Sequence, residues 1–417
     1  MHVDVAVVGG GPAGAAAAIT LARAGRHAAL FDKATFPRDK CCGDGLTAGA
    51  LRELESLGLD PAAVGSWRQV DDVVVRSPSG LEVTLPLPRG QGCFAAVARR
   101  VELDAALLDV ARDAGVEIHD GHPVIGLAQD AERVTLTVEG VGTVTAPYVI
   151  AADGMWSPVR KLAGVAEAGY LGEWHAFRQY FEHVGPAAAS RLYVWFEPDL
   201  LPGYAWSFPL PGDRANVGFG IARAGGKVER VQDMKKLWPD LLARPHIAGV
   251  LGAGARAEAP HKAWPIPARI DRAVRHEGRV LFAGDAVAAD DVLTGEGIGQ
   301  ALLTGRLAAE AVVASGPDRP GEAAASYDRA VDHHLLADHR MSALLQRALR
   351  HRKGARLAVW LAGISPWTRR NFARWLFEDY PRAVVATPRR WRRAMFTGPG
   401  AFRAASRHES RQPTGPG

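Results

Sequence analysis

Cysteine is nearly missing from this chain: Cys41, Cys42 and Cys93 are the only three in 417 residues. An odd, sparse set is no disulfide framework and points instead to a reducing, cytosolic compartment. The three thiols also fall in no zinc-ligand spacing, so no metal is expected. Long apolar runs are absent as well, since no uncharged stretch reaches the ~18 residues that a spanning helix needs. The first apolar run contains Asp4, with no basic segment ahead of it and no small-residue cleavage site behind, so a secretory signal is not expected. What is present is 47% hydrophobic and 23% charged residues, the make-up of a globular protein with room for a large core and about two or three domains.

The residues that are there open with "VDVAVVGGGPAGAAAAITLARAGRHAALFDK". It reads as an apolar strand, a turn with Gly9-x-Gly11-x-x-Gly14, an alanine-rich helix and a second strand ending at Asp32. Glycines at the turn let the backbone fold tightly and approach a pyrophosphate, which then meets the free N–H groups and positive dipole end of a helix. Asp32 stands about where a ribose acceptor belongs in such a unit. Two further strands end in short acidic turns, Asp153-Gly154 in "VIAADGMWSPVR" and Gly284-Asp285 in "RVLFAGDAVAADDVLTGEGIGQALLTGRLAAEAV". A second glycine pattern, Gly252-x-Gly254-x-x-Ala257, lacks a β-branched strand before it and meets Pro260 after it, so it is read as a loop. Hence no second nucleotide fold for NAD(P)H is visible.

In this order the motifs resemble FAD-dependent oxidoreductases built like p-hydroxybenzoate hydroxylase. Three of them are similar to the geranylgeranyl reductase family, which includes bacterial menaquinone and archaeal lipid reductases. "FPRDKCCGDGLT" carries P-x-x-K-x-C-G through Pro37, Lys40, Cys42 and Gly43; "LTGEGIGQALLTGRLAA" looks like the family's TGEGI helix start. "YAWSFPLPGDRANVGFG" matches Tyr/Phe-x-Trp-x-Phe-Pro followed by GxG, through Tyr204, Trp206, Phe208, Pro209, Gly218 and Gly220. The resemblance implies FAD held by Gly9, Gly11, Gly14, Asp32, Lys40, Arg100, Asp153, Gly284, Asp285, Gly295 and Gly297. The helix starting near Gly295 would point at the flavin's N1/O2 edge. Two departures stand out: Ala288 and Val292 replace the glycine and proline usual here, and Asp290 and Asp291 set two carboxylates beside the expected flavin.

Read from the residues, Tyr204, Trp206 and Phe208 alternate and so share one face of a strand, either plain core or the wall of an apolar channel. Gly218 and Gly220 imply close backbone approach, to the flavin ring or a neighbouring strand. With Trp206 and Phe208 they are the expected substrate contacts. The implied reaction is saturation of an isoprenoid C=C, with hydride from FAD and a proton from Cys42, Tyr204, Asp290 or Asp291. Electrons would come from NAD(P)H or a ferredoxin-like protein. Cys41 is expected only to pack. The rivals are a flavin monooxygenase or halogenase and a non-catalytic prenyl-lipid carrier; the halogenase W-x-W-x-I-P is only half present, as Trp264 to Pro267, with Lys262 in place of the first tryptophan.

The expected fold class is α/β: a Rossmann-type FAD domain from residues 1–65, 95–165 and 270–320, and a β-sheet substrate domain from 66–94 and 166–269. A helical basic region, 321–403, and a disordered end, 404–417, follow. From residue 340 to 411 seventeen Lys/Arg face three acids, so this segment is +14 and leaves −9 for the rest of a chain of net charge +5. Trp360, Trp367, Trp375 and Trp391 are interleaved with the arginines. Such amphipathic basic helices suit an anionic membrane surface or a solvated face over the catalytic unit. No nucleic-acid motif accompanies the charge, so the expected place is the cytoplasm, with docking at the inner face of the membrane.

Overall fold

The apolar run that opens the chain forms the strand Val5–Val8, buried along its whole length in the middle of a six-stranded sheet. From one edge the order is His276–Glu277, Val280–Phe282, Tyr148–Ala151, Val5–Val8, Ala28–Asp32 and Glu117–Asp120. All pairs are parallel except the first. Continuous rather than alternating hydrophobicity is what such a sheet requires, because both its faces are buried, in a core that helices share with the three-stranded sheet Val124–Gln129, Val134–Val138 and Gly142–Ala146. The helix Pro12–Arg23 follows the glycine turn and packs against the helix Ile298–Ser315. Small residues permit the approach: a Cβ on Gly305 would lie 2.0 Å from the Ala13 carbonyl oxygen.

This computed structural model describes residues 1–223, 231–391 and 395–403. The end read as disordered, 404–417, and Arg392 and Arg393 of the basic run lie outside the described residues. The second large sheet has eight strands, among them Trp174–Glu182, Arg214–Ala222, Tyr204–Leu210, Leu192–Trp195, Asp72–Arg76 and Glu82–Pro86. A small sheet of Gly45–Thr47, Ala95–Val97 and Arg68–Gln69 lies between the segments that alternate from one large sheet to the other. Mixed helix and strand around two large sheets, with two smaller three-stranded ones, is the α/β two-domain class expected from the sequence.

The basic region folds into helices Ala337–Leu349, Arg352–Gly363 and Pro366–Leu376. Val359, Ala362, Ala373 and Phe377 from this region pack with Val73, Val83 and Leu85 of the second sheet and with Phe94. Beyond them the chain returns: Ala401 exchanges backbone hydrogen bonds with Cys93. The region is therefore part of the packed body and not an appended arm. No helix among the described residues is long and apolar enough to cross a membrane.

Candidate active site

A cavity of about 780 Å³ is lined by residues of both large sheets, the glycine turn, the cysteine loop and the basic region. At one end stand Gly9, Gly11, Pro12 and Asp32. Gly9 has φ +107°, and a Cβ there would lie 2.2 Å from the Ala152 carbonyl oxygen, so the turn needs glycine. Gly14 lies outside the lining, where its missing side chain lets the helix start directly beneath Gly9. Gly11 is open: its Cβ position has only the guanidinium groups of Arg38 and Arg100 nearby, at 3.6 and 3.8 Å.

Both cations are held by one buried carboxylate, Asp104. Arg100 grips it through Nε and Nη2 at 2.6 and 2.7 Å, and Arg38 Nη1 reaches it at 2.9 Å. Burial alone would lower the Arg100 pKa, but Asp104 raises it and keeps the guanidinium charged. Arg38 and Asp104 were not among the expected site residues. The i,i+4 spacing of Arg100 and Asp104 on the helix Arg100–Asp113 was the available signal. Asp32 accepts from the Gly10 and Ala34 N–H groups at 2.6 and 2.8 Å, leaving further lone pairs for a hydroxyl.

Midway along the cavity, Lys40 Nζ sits 3.5 Å from Asp285 and 4.0 Å from the centre of the Trp264 ring. Gly284, at φ +62°, donates its N–H to Thr304 Oγ1. Asp153 lines the cavity but turns one carboxylate oxygen to the Val159 N–H, capping the short helix Pro158–Leu162, and burial pushes it up to about 6.

The loop 290–297 separates the two carboxylates that the sequence set side by side. Asp291 is outside the lining: it accepts from Leu293 N, Thr294 N, Thr294 Oγ1 and Ser342 Oγ and faces Arg382 at 3.4 Å. Burial would raise its pKa, yet Arg382 and the Ser342 hydrogen bond hold it low, so Asp291 is an ionised anchor of the loop and has no proton to give. Asp290 lines the cavity, 5% exposed, packed against Gly297 at the start of the helix Ile298–Ser315. Gly295 (φ +70°), Glu296 and Gly297 line it too. Burial, with Glu378 nearby, pushes Glu296 up to about 8. Glu296 lay inside the quoted TGEGI motif without being singled out.

Tyr204, Trp206 and Phe208 form one wall, as their alternation implied. The Tyr204 hydroxyl donates to the Thr294 carbonyl, and burial raises its pKa. Gly220 lines the cavity, whereas Gly218 does not; a Cβ at Gly218 would lie 2.4 Å from the Trp206 ring and from the Phe177 carbonyl. Away from the cavity lining, its missing side chain lets the indole lie against the neighbouring strand.

Cys42 and Cys41 both line the cavity. Burial pushes their thiols up to about 12 and about 11, so both carry their protons at neutral pH. Cys42 Sγ accepts from the Asp44 N–H at 3.3 Å. Asp44 is fully buried at φ +64° and accepts from Tyr180 Oη at 2.7 Å and Asn216 Nδ2 at 2.8 Å. Asn216 also donates to the Cys42 carbonyl at 2.9 Å and accepts from the Trp206 indole at 3.1 Å. This network ties the cysteine loop to the aromatic wall. No local pattern announces it, since its members come from three distant strands and loops.

The FAD binding domain family matches residues 2–303 of the chain. The menaquinone reductase of Mycobacterium tuberculosis is 36% identical over 339 residues, covering 74% of this chain and 76% of that protein. Digeranylgeranylglycerophospholipid reductase 1 of Methanopyrus kandleri is 32% identical, covering 75% and 81%. A geranylgeranyl bacteriochlorophyll reductase-like protein from Thermoplasma acidophilum shares the fold at a TM-score of 0.77 and 21% identity, covering 94% and 99%. The residues fit the cofactor these matches imply: the open face of Gly11 under two guanidinium groups suits a pyrophosphate, and the Asp285 end suits the ribityl chain and ring. Sequence motifs, cavity and relatives agree, and the chain belongs to the geranylgeranyl reductase family of FAD-dependent oxidoreductases.

Proposed function

We propose that the protein saturates C=C bonds of an isoprenoid chain, such as a geranylgeranyl group, a polyprenyl lipid or a menaquinone side chain. The observation that carries this reading is the far end of the cavity. Beyond Trp206 and Phe208 its walls include Leu349, Val359, Phe372 and Leu376, apolar side chains continuous with the cofactor region. Such a chamber suits a long hydrocarbon and supplies no hydrogen-bond pattern for a polar aromatic. The names of the two relatives support the same substrate class. Bound FAD supplies the hydride, and NAD(P)H or a ferredoxin-like protein supplies its electrons. The halogenase reading gains nothing, because Lys262, where a tryptophan would stand, is ion-paired with Asp39. Incubating the FAD-loaded protein with reductant and a polyprenyl substrate should add two hydrogens per bond reduced, read by mass spectrometry. Oxygen consumption with an unchanged lipid mass would refute the proposal.

An unactivated alkene stabilises no carbanion, so a proton donor must stand at the cavity wall. Cys42 holds its proton there, while Tyr204 has committed its own to Thr294. Cys42→Ser is expected to slow lipid reduction by ~10-fold or more while FAD content and dithionite reduction stay normal. Cys41→Ser should be milder. Equal losses in both would assign the effect to the polarity of the wall and not to the Cys42 thiol.

We further propose that the basic region docks on an anionic membrane. Its inner residues wall the cavity, while Trp360, Ile364 and Trp367 stand 53%, 55% and 65% exposed beside the exposed Arg352, Lys353, Arg356, Arg369 and Arg370. Trp375 alone of the four tail tryptophans faces inward and lines the cavity. Each basic residue near such a surface contributes about 1 kcal/mol, and each buried aromatic adds more. Replacing Trp360 and Trp367 by serine should weaken co-sedimentation with phosphatidylserine vesicles at least ~10-fold, and salt should release the wild type. Equal binding to neutral vesicles would contradict this docking mode.

A further inference from the structure

Among the groups that line the cavity, Asp290 is the buried carboxyl without a fixed partner. Its Oδ1 has no hydrogen-bond partner among the described residues. Asp290 is 5% exposed, lies on the cavity wall and packs against Gly297, where a Cβ would fall 2.4 Å from Oδ1. Asp291 next to it is claimed by Leu293 and Thr294 of the loop and by Ser342 of the helix Ala337–Leu349; Asp290 accepts from no side chain or backbone group among the described residues. The charged and titratable groups around Asp290 are mixed: Asp285 and Glu296 oppose its ionisation, Lys40 and Arg100 favour it, and Tyr170 nearby is a neutral phenol. Burial comes first and Asp285 second in pushing its pKa well above the usual carboxylate range. Such a group changes protonation whenever the charge beside it changes, because a neighbouring negative charge in a dry site strongly disfavours a second.

We propose that Asp290 takes up a proton when the bound cofactor is reduced and releases it when the hydride leaves. The proposal rests on the assignment of FAD to this cavity, and its last step rests on the alkene substrate proposed above. In balance, two electrons and two protons enter on reduction: one proton goes to the flavin with the electron pair, and one converts the Asp290 carboxylate to the acid. On turnover a hydride and the Asp290 proton go to the two carbons of the double bond, leaving oxidised flavin, an ionised Asp290 and a new C–H bond on each carbon. The wall thus stores, beside the reducing equivalents, the proton that they need. Cys42 lines the same cavity, and where its thiol hands its own proton to the alkene, the Asp290 proton replaces it, so the balance is unchanged.

Linkage makes this measurable without any lipid. If reduction raises the affinity of Asp290 for a proton, the proton raises the reduction potential by the same free energy. A two-electron couple moves about 30 mV for each tenfold change, so one proton per electron pair gives about 30 mV per pH unit and two give about 59 mV. Potentiometric titration of the FAD-loaded full chain with dithionite and mediators, from about pH 5 to about pH 9, spans the window of a raised carboxyl. The expected result is a stretch of about 59 mV per pH unit in the wild type that falls to about 30 mV in Asp290→Asn. A wild-type slope of about 30 mV at every pH overturns the proposal by itself, whether or not the variant holds flavin. A steep stretch that persists unchanged in Asp290→Asn overturns it as well, since the second proton then sits elsewhere. Neither result depends on which lipid is reduced, so failure here is distinct from failure of the isoprenoid assignment.

Discussion

Gly14→Val is expected to yield protein that retains no FAD. A Cβ at this position would lie 1.7 Å from the Gly9 carbonyl oxygen, and both atoms belong to backbone, so no side chain can swing aside. Relief requires the helix Pro12–Arg23 to slide away from the glycine turn, yet that helix is buried against Ile298–Ser315 through contacts that already demand glycine at position 305. Overpacking of this kind costs about 3 kcal/mol or more, and the displaced element is the one whose N-terminus must meet the pyrophosphate. Flavin affinity should fall by ~100-fold or more, read as loss of the yellow absorbance after desalting. Misfolding is the competing explanation, and Asp285→Ala separates it. Asp285 is part-exposed at the cavity and makes one ion pair, to Lys40, so its removal should weaken FAD while leaving the thermal transition of the apo-protein in place. Full flavin occupancy in both variants would contradict the placement of the cofactor.

Removing the chain after Gln346 should produce aggregated or unfolded protein. Read as a sequence, the basic region is a detachable membrane arm or a solvated cover, and such a deletion would merely release the protein from vesicles. The structure makes it a wall. Val359, Ala362, Ala373 and Phe377 complete an apolar cluster with the second sheet, and their loss would open that cluster and the far cavity to water. Several kcal/mol of apolar burial would go, at about 25 cal/mol per Å². The charge balance is worse. Arg382, 4% exposed, faces Asp291 and Glu378, while Asp379 is shared by Arg52 and Arg374. Glu378 in turn accepts from Thr47 and Gln300. Deleting one side of these pairs strands Asp291 as a buried, uncompensated charge at the loop that carries Gly295 and Gly297, which costs about 3–5 kcal/mol for one pair. Against a typical total of about 5–15 kcal/mol, the fold should not survive at full yield. A well-folded, flavin-bearing truncation would show that the region packs only loosely. For the same reason, membrane docking is tested by Trp360 and Trp367, whose replacement leaves the inner face untouched.

The sequence by itself determined whatever is encoded contiguously. The strand, the Gly9-x-Gly11-x-x-Gly14 turn, the helix and Asp32 form one local unit in which each residue's reason is visible within about 30 positions. The alternation of Tyr204, Trp206 and Phe208 likewise fixed a face without need of any partner. Tertiary structure alone decided what depends on distant chain segments. The roles of Asp290 and Asp291 were inseparable in the sequence, because adjacent residues of one type look alike until Ser342 and Arg382 arrive to claim one of them. Gly218 reads in the sequence as a close approach either to the flavin ring or to a neighbouring strand, and it is the strand and the Trp206 ring that lie against it. The basic helices showed an amphipathic period but not which surface each face would meet. A period reports only that two faces differ; which one becomes a cavity wall is set by the sheet that closes against it.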